Sequence, residues 1–572
     1  MLRNSSHGSN NNQKVLFCNR AFLVADFETT TELDDCRVWG WGLTLVDKQA
    51  SMEDVIFGST IEDFFDVVST GNYIVFFHHL AFDGSFILDI LLRNEFSHVT
   101  EYTKPGTFKT LISRKSQFYS ITVHWRNGKV TEFRDSLKKI PMTVDRMAKA
   151  FNVEQSKLII DYKSYRPVGH EITPVEKEYI AADVVIVARA LAQQLDEGMT
   201  KLTVGADSMA EFKKLFGGKL FARTFPVLSP SMDAEIRKAY RGGWTICPKR
   251  LRLDYGKNGF KGGSVYDVNS LYPSVMKNSM LPHSVPRWIE GEPEVTEEFP
   301  LFIVSITFMA KIKKNHLPCI QVKGSSMFGA TEYLEVVDEP TTLSITNVDL
   351  ELWEKHYDLD ILSYNGGWKF RGFVGFFDEY IDKWSDIKAK ATGGLREIAK
   401  LHLNSLYGKF ATNPNITGKY PIMEDGVVEL VLGPDETRDP VYTAMGVFIT
   451  AYARQVTITA AQLNYSTFAY ADTDSIHLTS TEPPVGVVVD PSRLGAWKHE
   501  YDFSSAVFWR TKAYSEIESD GTQHTHVAGL PVQVAAKIKL DDFVEGKVFD
   551  GKLLPKRVEG GIVLVDATYT LK

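Results

Sequence analysis

The stretch Phe468 to Leu478, FAYADTDSIHL, constrains the fold more than any other part of the chain. Apolar and aromatic residues run up to Ala471 and resume at Ile476. Asp472, Thr473 and Asp474 therefore fall at a tight turn between two antiparallel strands. Aspartate is common in turns, so a polar hairpin tip is one reading. The other is chemical. Two carboxylates at one tip pack poorly, because each would need a partner if buried. They suit hard divalent cations, which take oxygen ligands and leave room for substrate phosphates.

A chain of 572 residues is too long for a single core, so several domains are expected. With 44% hydrophobic and 24% charged residues it has the composition of a soluble globular protein. A net charge of −8 neither predicts nor excludes nucleic acid, because binding depends on local basic grooves. Cys18, Cys36, Cys247 and Cys319 lie far apart with no metal-type spacing, and a reduced, intracellular protein is expected. No apolar run approaches the roughly 20 residues of a membrane span, and the start is not a signal peptide. Residues 1–14 are polar and low in complexity, and disorder is expected there.

Ala21 to Ala25 reads as a buried strand running into Asp26-Phe27-Glu28, with the two acids on one face. A solvated strand edge is the plain alternative. A second apolar segment, Tyr73 to Phe77, leads into HHLAFDG with Asp83. Thr173-Pro174 with Glu176 predicts a capped helix start. That helix carries Tyr179 and Asp183 one turn apart, while Ile180, Val184, Val187 and Leu191 would pack on a sheet. Asp26, Glu28, Asp83 and Asp183 together could hold two metal ions that activate water and stabilise a leaving phosphodiester oxygen.

This order of elements resembles the proofreading 3′–5′ exonuclease domain of DNA polymerases, over residues 15–203. The resemblance implies a ribonuclease-H-like fold, metal binding by the four acids, and a Tyr179 that orients the attacking water. It also makes Lys157 a catalytic-site lysine and brings Phe82, Ser136 and Leu137 to the single-stranded DNA end. The chain departs at His79, where the family usually has asparagine. That bears on how the single-stranded end is held, and not on the metal ligands.

Further along, Tyr240-Arg241-Gly242-Gly243 pairs two permissive glycines with an arginine able to meet phosphate. Val265 to Val268 reads as a strand with Asp267 inside it, where a lone carboxylate would be costly unless it shared a metal with Asp474. Residues 395–410 predict one helix with Leu395, Ala399, Leu403, Leu406 and Phe410 on its buried stripe. Lys400, Asn404 and Tyr407 fall on a neighbouring face, which an ordinary solvated helix would also show.

The segment KLHLNSLYGK resembles the nucleotide-binding helix of family B DNA polymerases. The resemblance places Asp267, Val268 and Asp474 at two metal ions, with Asp472 in support. It assigns Val268, Tyr272, Lys383, Lys388, Lys400, Asn404, Tyr407, Tyr470 and Thr473 to the incoming nucleotide, Tyr272 excluding the ribose 2′-hydroxyl. Tyr240, Gly242 and Gly243 would contact the template. Thr450 and Arg454 in TAYAR, and Lys512 and Tyr514 in KAY, would contact the primer.

Residues 279–376 and 415–437 match insertions of protein-primed family B polymerases of small tailed bacteriophages, and the resemblance runs from about Phe22 to Lys572. It implies an α/β and α+β multidomain chain with a right-hand polymerase: palm at 204–278 and 438–526, fingers at 377–414, thumb at 527–572. The implied function is DNA-directed DNA synthesis on linear viral DNA, processive, strand-displacing and started on a terminal protein. Two Mg²⁺ per active site are implied, with Mn²⁺ able to substitute. Template and primer DNA, dNTPs and the terminal protein would be the partners of a monomer in the cytoplasm of an infected bacterial host. A nuclease alone, with residues 204 onward as a DNA clamp, is a rival reading. So is a non-enzymatic scaffold that stacks single strands on its aromatics. Primer extension separates synthesis from a nuclease alone, and a protein that neither extends nor degrades a primed template would be the scaffold.

Overall fold

The computed structural model describes residues 20–153, 160–162, 164–323 and 331–572; the tail 1–14, Cys18 and Lys157 lie outside them. The apolar run at Ala21 becomes the strand Ala21–Thr29, inside an eight-stranded sheet. The strand pairs in parallel with Tyr73–Phe77, which pairs in parallel with Val130–Asp135. Parallel pairing brings three C-terminal strand ends to one edge, and with them Asp26, Glu28, His78, His79 and Asp135. The helix Pro174–Asp196 starts where expected, with Thr173 and Glu176 forming a reciprocal cap. It lies close on the sheet because Gly42 leaves room: a Cβ there would sit 2.6 Å from Cγ2 of Ile180. Other helices pack on it as well, so beyond an exposed first turn it is buried nearly all round.

The second half is built on a five-stranded sheet. Its strands run in the order Trp497–Phe503, Gly263–Val268, Ser475–Leu478, Phe468–Asp472 and Thr245–Ile246. Asp267 is opposite Ser475, and Asp472 is opposite Thr245, so the acids of the two strands meet at one end of the sheet. The helix Thr443–Leu463 packs on one face of this sheet. A four-stranded sheet containing Ala513–Ile517 packs on the other across Tyr470, Phe503 and Phe508. Residues 279–376 fold as another four-stranded sheet with the helix Asn347–His356. A single buried core runs from Phe22 through these layers to Trp497, so packing does not break at 203/204 or at 279 and 376.

One helix expectation needs correction. Residues 393–405 and 407–410 are separate helices that meet at Leu406. Leu395 is 36% exposed, whereas Ala399, Leu403, Leu406 and Phe410 are buried as expected, and Ile398 and His402 join them. The ring of His402 stacks on Trp384 at 3.9 Å and turns that side of the helix inward. Among the described residues no helix is long and apolar enough to cross a membrane.

Residues 415–424 and 427–437 form a long hairpin. It bridges to the first sheet at Ser113–Gly418 and to the C-terminal hairpin 548–570 at Val427–Glu559. Val428, Ile562 and Val563 enter the core beneath the first sheet. The last third of the chain thus folds back onto the first.

A buried ion pair ties residues 279–376 to the rest. Arg454 on the helix Thr443–Leu463 donates to Asp349 at 2.7 Å, and also to the carbonyls of Arg241 at 2.9 Å and Gly242 at 3.0 Å. Burial opposes the charge on Asp349, yet the guanidiniums of Arg454 and Arg241 hold its carboxyl below the usual range. Asp349→Ala would leave two buried guanidiniums without a carboxylate. The expected cost is about 3–5 kcal/mol of stability, read as a drop in the urea midpoint. An unchanged midpoint would contradict this account of the junction.

Candidate active sites

The first site is a cleft of about 1830 Å³ at the strand ends of the eight-stranded sheet. Asp26, Glu28, His79, Phe82, Asp83, Leu137, Tyr179 and Asp183 all line it, so four acids from three elements converge. The cleft exceeds the roughly 300–1,000 Å³ of a small-molecule pocket, which suits a polymer end. Asp83 is buried and accepts the backbone N–H of Phe27 at 3.3 Å. Burial, and then the neighbouring Asp26, pushes its carboxyl well above the usual range. Tyr179 and Tyr162 hydrogen-bond through their hydroxyls. Burial, and then Glu28 and Asp183, pushes the Tyr179 phenol up, so it remains an O–H donor beside the acids.

His79 caps the helix Leu80–Arg93 with a left-handed backbone, φ 82°. Histidine and asparagine are both enriched in that conformation, so this departure from the family pattern keeps the turn. The backbone N–H of His79 donates to Asp135 at 3.1 Å. Ser136 does not reach the cleft. It is fully buried, donates to the carbonyl of Phe77 at 3.1 Å and meets Nδ1 of His78 at 2.9 Å. It holds the loop, and its neighbour Leu137 faces the cleft. Sequence reasoning missed Asp135, which accepts the N–H groups of both His79 and Leu137, and the C-terminal hairpin residues Leu553, Leu564 and Asp566 that wall the cleft. Asp135 falls in the strand VTEFRD on the same buried face as Thr131 and Phe133, and that alternation was its available signal.

The second site is the tip of the hairpin 468–478. The turn puts β-branched Thr473 at φ 64°, an uncommon and strained conformation. Surrounding bonds hold it there. Thr473 N–H donates to the Trp244 carbonyl at 2.8 Å, and its own carbonyl accepts from Thr457 Oγ1 at 2.7 Å. Gly243 packs so closely that a Cβ would lie 2.7 Å from Cγ2 of Thr473. A Cβ on Gly242 would meet no protein atom within 4 Å, so that glycine leaves open space for a ligand.

Asp472 is already partnered, accepting from Lys512 Nζ at 3.0 Å on both oxygens and from Thr245 Oγ1 at 3.0 Å. Asp267 and Asp474 are not neutralised in this way. Burial, and then the charge of Asp474, pushes the Asp267 carboxyl up to about 7. Burial, with Asp472 nearby, also raises Asp474. Val268 N–H donates to the Asp474 carbonyl at 2.8 Å; its side chain is buried, so only its backbone can face a ligand. Among the described residues no three His, Cys, Asp or Glu side chains enclose an ion site by themselves. Mg²⁺ is commonly held by one or two carboxylates with substrate phosphates completing its shell, and a repelling pair of hard oxygen donors fits that pattern.

Around this tip, Tyr272 and Tyr407 stack at 4.1 Å and 10°, making one aromatic wall from two distant segments. Lys388 donates to Ser270 Oγ at 3.1 Å; burial, and then Arg396 and Lys400, lowers its pKa. On the helix 393–405 Lys400 is half-buried and Asn404 exposed, and Tyr407 opens the short helix that follows. Lys383 points elsewhere, paired with Glu211. Tyr240 is half-buried beside Gly242.

Three expected contacts are corrected by burial. Tyr470 is 0% exposed and cannot touch a nucleotide; its hydroxyl accepts the Lys512 N–H at 3.0 Å. Thr450 is 1% exposed and donates to carbonyls within its own helix. Arg454 is 2% exposed and spends its guanidinium on Asp349 and on the carbonyls of the Arg241-Gly242 loop. These side chains support the residues that can meet DNA. Lys512 itself is exposed, and Tyr514 packs on Tyr470 at 4.9 Å.

The family model for DNA polymerase type B, organellar and viral, matches residues 66–169 and 158–489. The DNA polymerase of Bacillus phage Nf is 43% identical over 97% of this chain and 100% of its own length. The DNA polymerase of Bacillus phage phi29 is 41% identical over 97% of this chain and 99% of its own. The structure of Phi29 DNA polymerase with primer-template DNA and incoming nucleotides superposes with a TM-score of 0.90, at 39% identity, over 97% of this chain and 100% of that one. Its complex with single-stranded DNA gives the same TM-score at 40% identity and the same coverage.

The repulsion at Asp267 yields a signed prediction. Its folded pKa of about 7 lies above the ordinary 3.8, so the folded state binds the extra proton between those values. Stability from this group is present at low pH and lost as pH rises toward 7. Asp267→Asn should therefore raise the metal-free thermal midpoint by about 2 °C at pH 8 and leave it unchanged near pH 4. The same change should cut primer extension by at least about 100-fold, more than the loss of a residue that merely supports a metal ligand. A lower midpoint at pH 8 would contradict the repulsion.

Proposed function

This chain belongs to the organellar and viral type B DNA polymerases, and we propose that it copies linear viral DNA from a protein primer while proofreading its product. The observation that carries the reading is the pair of separate carboxylate clusters, one at the end of each main sheet of one continuous core. The proposed architecture is a ribonuclease-H-like exonuclease over 15–203, followed by palm, fingers and thumb with the two insertions.

In synthesis, Asp267, Asp474 and the Val268 backbone would hold Mg²⁺, or Mn²⁺ in its place. Bound there, the metal pair would acidify the primer hydroxyl and offset charge on the departing pyrophosphate. Lys388 and Lys400 would meet the triphosphate. The Tyr272–Tyr407 wall would border the sugar and leave no space for a 2′-hydroxyl. Lys512 and Tyr514 would hold the primer, and the open backbone at Gly242 would admit the template. In proofreading, Asp26, Glu28, Asp83 and Asp183 would be the metal ligands, the Tyr179 hydroxyl would orient the attacking water, and Phe82 and Leu137 would face the last bases. Phosphate contacts should dominate DNA affinity and weaken with salt. The protein would act as a monomer in the cytoplasm of an infected bacterial host.

The two activities should come apart by mutation. Asp474→Ala is expected to abolish primer extension and spare degradation of single strands, and Asp26→Ala to do the opposite. Loss of both activities from either change in folded protein would refute the two-site assignment. Protein priming is tested by transfer of a labelled dNMP onto the hydroxyl of a candidate terminal protein with no nucleic-acid primer present.

The hairpin 415–437 lies between the first sheet and the C-terminal hairpin, and this placement supports its role in retaining DNA. Its deletion should shorten products made under single-encounter conditions and stop synthesis at duplex ahead, while a short primer is still extended at high enzyme concentration. A folded deletion variant with full product length would refute that role.

A further inference from the structure

A buried carboxylate that the polymerase mechanism does not use lies beneath the metal-binding turn. Glu516 is 0% exposed and sits on the strand Ala513–Ile517, four residues from Lys512 and two from Tyr514. Both of its oxygens are taken by the neighbouring catalytic sheet. Oε1 meets Nδ1 of His477 at 2.8 Å, and Oε2 accepts the hydroxyl of Tyr501 at 2.8 Å. His477 and Tyr501 are both opposite Val265, so they share one rung of the sheet and point to the same face. His477 is on the strand that starts at Ser475, directly after Asp474. Its other nitrogen lies 3.5 Å from Ser475 Oγ, which donates in turn to the Asp472 carbonyl at 3.4 Å. The Tyr501 ring is clamped from outside by His524, stacked at 3.8 Å and 11°.

Packing alone does not require this arrangement. The two sheets already meet through Tyr470, Phe503 and Phe508, and apolar contact tolerates sliding. A carboxylate bonded in two directions does not slide, because hydrogen bonds weaken steeply with angle. A buried carboxylate without both donors would be costly. We propose that Glu516, with Tyr501 and His477, is a positioning group for synthesis. It fixes the strand bearing Lys512 and Tyr514 in register with the turn bearing Asp472 and Asp474, and so sets where the primer 3′ end meets the metal-binding acids. The inference rests on the reading of Lys512 as a primer contact.

The test uses the full chain with Tyr501→Phe, which keeps ring and volume, Glu516→Gln, the double variant, and Lys512→Ala as reference. Each network variant is expected to lower the maximal single-nucleotide extension rate by about tenfold, as a small misplacement of reacting atoms does. The KM for dNTP should stay within about twofold, because these residues stand apart from the nucleotide pocket and misalignment acts on the transition state. Matched primers should be excised more often per nucleotide added, while degradation of free single strands is unchanged. The double variant should be no slower than the slower single one, because both changes act through one carboxylate. Normal extension and normal excision ratio in Tyr501→Phe and Glu516→Gln, beside a defective Lys512→Ala, would overturn the inference alone. Normal extension by Lys512→Ala would overturn the primer-contact reading and the inference with it. Equal loss of extension and single-strand degradation would reduce the network to a structural support and overturn the inference as well.

Discussion

Partly buried carboxylates brought close together are the constraint on which the second half of the structure depends. Burial, and then the charge of Asp474, raises the proton affinity of Asp267, and burial, with Asp472 nearby, raises that of Asp474, so the fold must hold these acids together against their own field. It does so in part by pairing the third acid with a cation. Asp472 is given to Lys512 and Thr245, and the turn is fixed by backbone bonds from Trp244 and to Thr457. Left-handed backbone at Ser270, Thr473 and Lys512 borders this cluster, and His79 borders the other. Such residues cost about 1–3 kcal/mol each and persist where their surroundings over-determine them. Four of the eleven non-glycine left-handed residues described thus border the two acid clusters, and seven lie elsewhere.

What was legible in the sequence follows from how local each feature is. The strand ends at Asp26 and Asp267, the capped helix at Thr173 and the hairpin at Asp472 are all set by residues within a turn of one another. Each showed in the one-dimensional pattern. The helix read as 395–410 keeps Ala399, Leu403, Leu406 and Phe410 buried but departs at Leu395 and in its break at Leu406, and the inward turn of His402 was not legible because it depends on stacking with Trp384 of another helix. The Asp349–Arg454 pair spans 105 residues and the Glu516–His477 pair 39, and neither member predicts its partner.

Motif resemblance carries another, subtler error. Tyr470, Thr450, Arg454 and Ser136 stand in segments that resemble DNA- or nucleotide-contacting motifs, yet all four are buried. A motif marks residues that a site requires, and it does not separate those that touch a ligand from those that hold the touching residue. Arg454 shows the difference. Its guanidinium reaches the carbonyls at Arg241 and Gly242, so it shapes the open glycine without being able to meet DNA itself.

The same distinction applies to how the chain closes on itself. The C-terminal hairpin meets the first sheet and its helix Leu80–Arg93 through an exposed ion pair, a bond from the Gly560 N–H to Asp89 at 3.2 Å and apolar contact, and magnitudes decide between the first and the last. The Arg93–Glu559 pair at 3.3 Å is largely exposed, and such pairs contribute about 0–1 kcal/mol. Ile562 and Val563 are buried in the core beneath the first sheet, worth about 1.5–3 kcal/mol apiece. Closure is thus held by apolar burial and should persist in salt, while DNA held by phosphate contacts is released. Leu553, Leu564 and Asp566 of the same hairpin wall the first cleft. The end of the chain therefore completes the cleft that its beginning encodes, and this wall of the cleft should keep its place in salt.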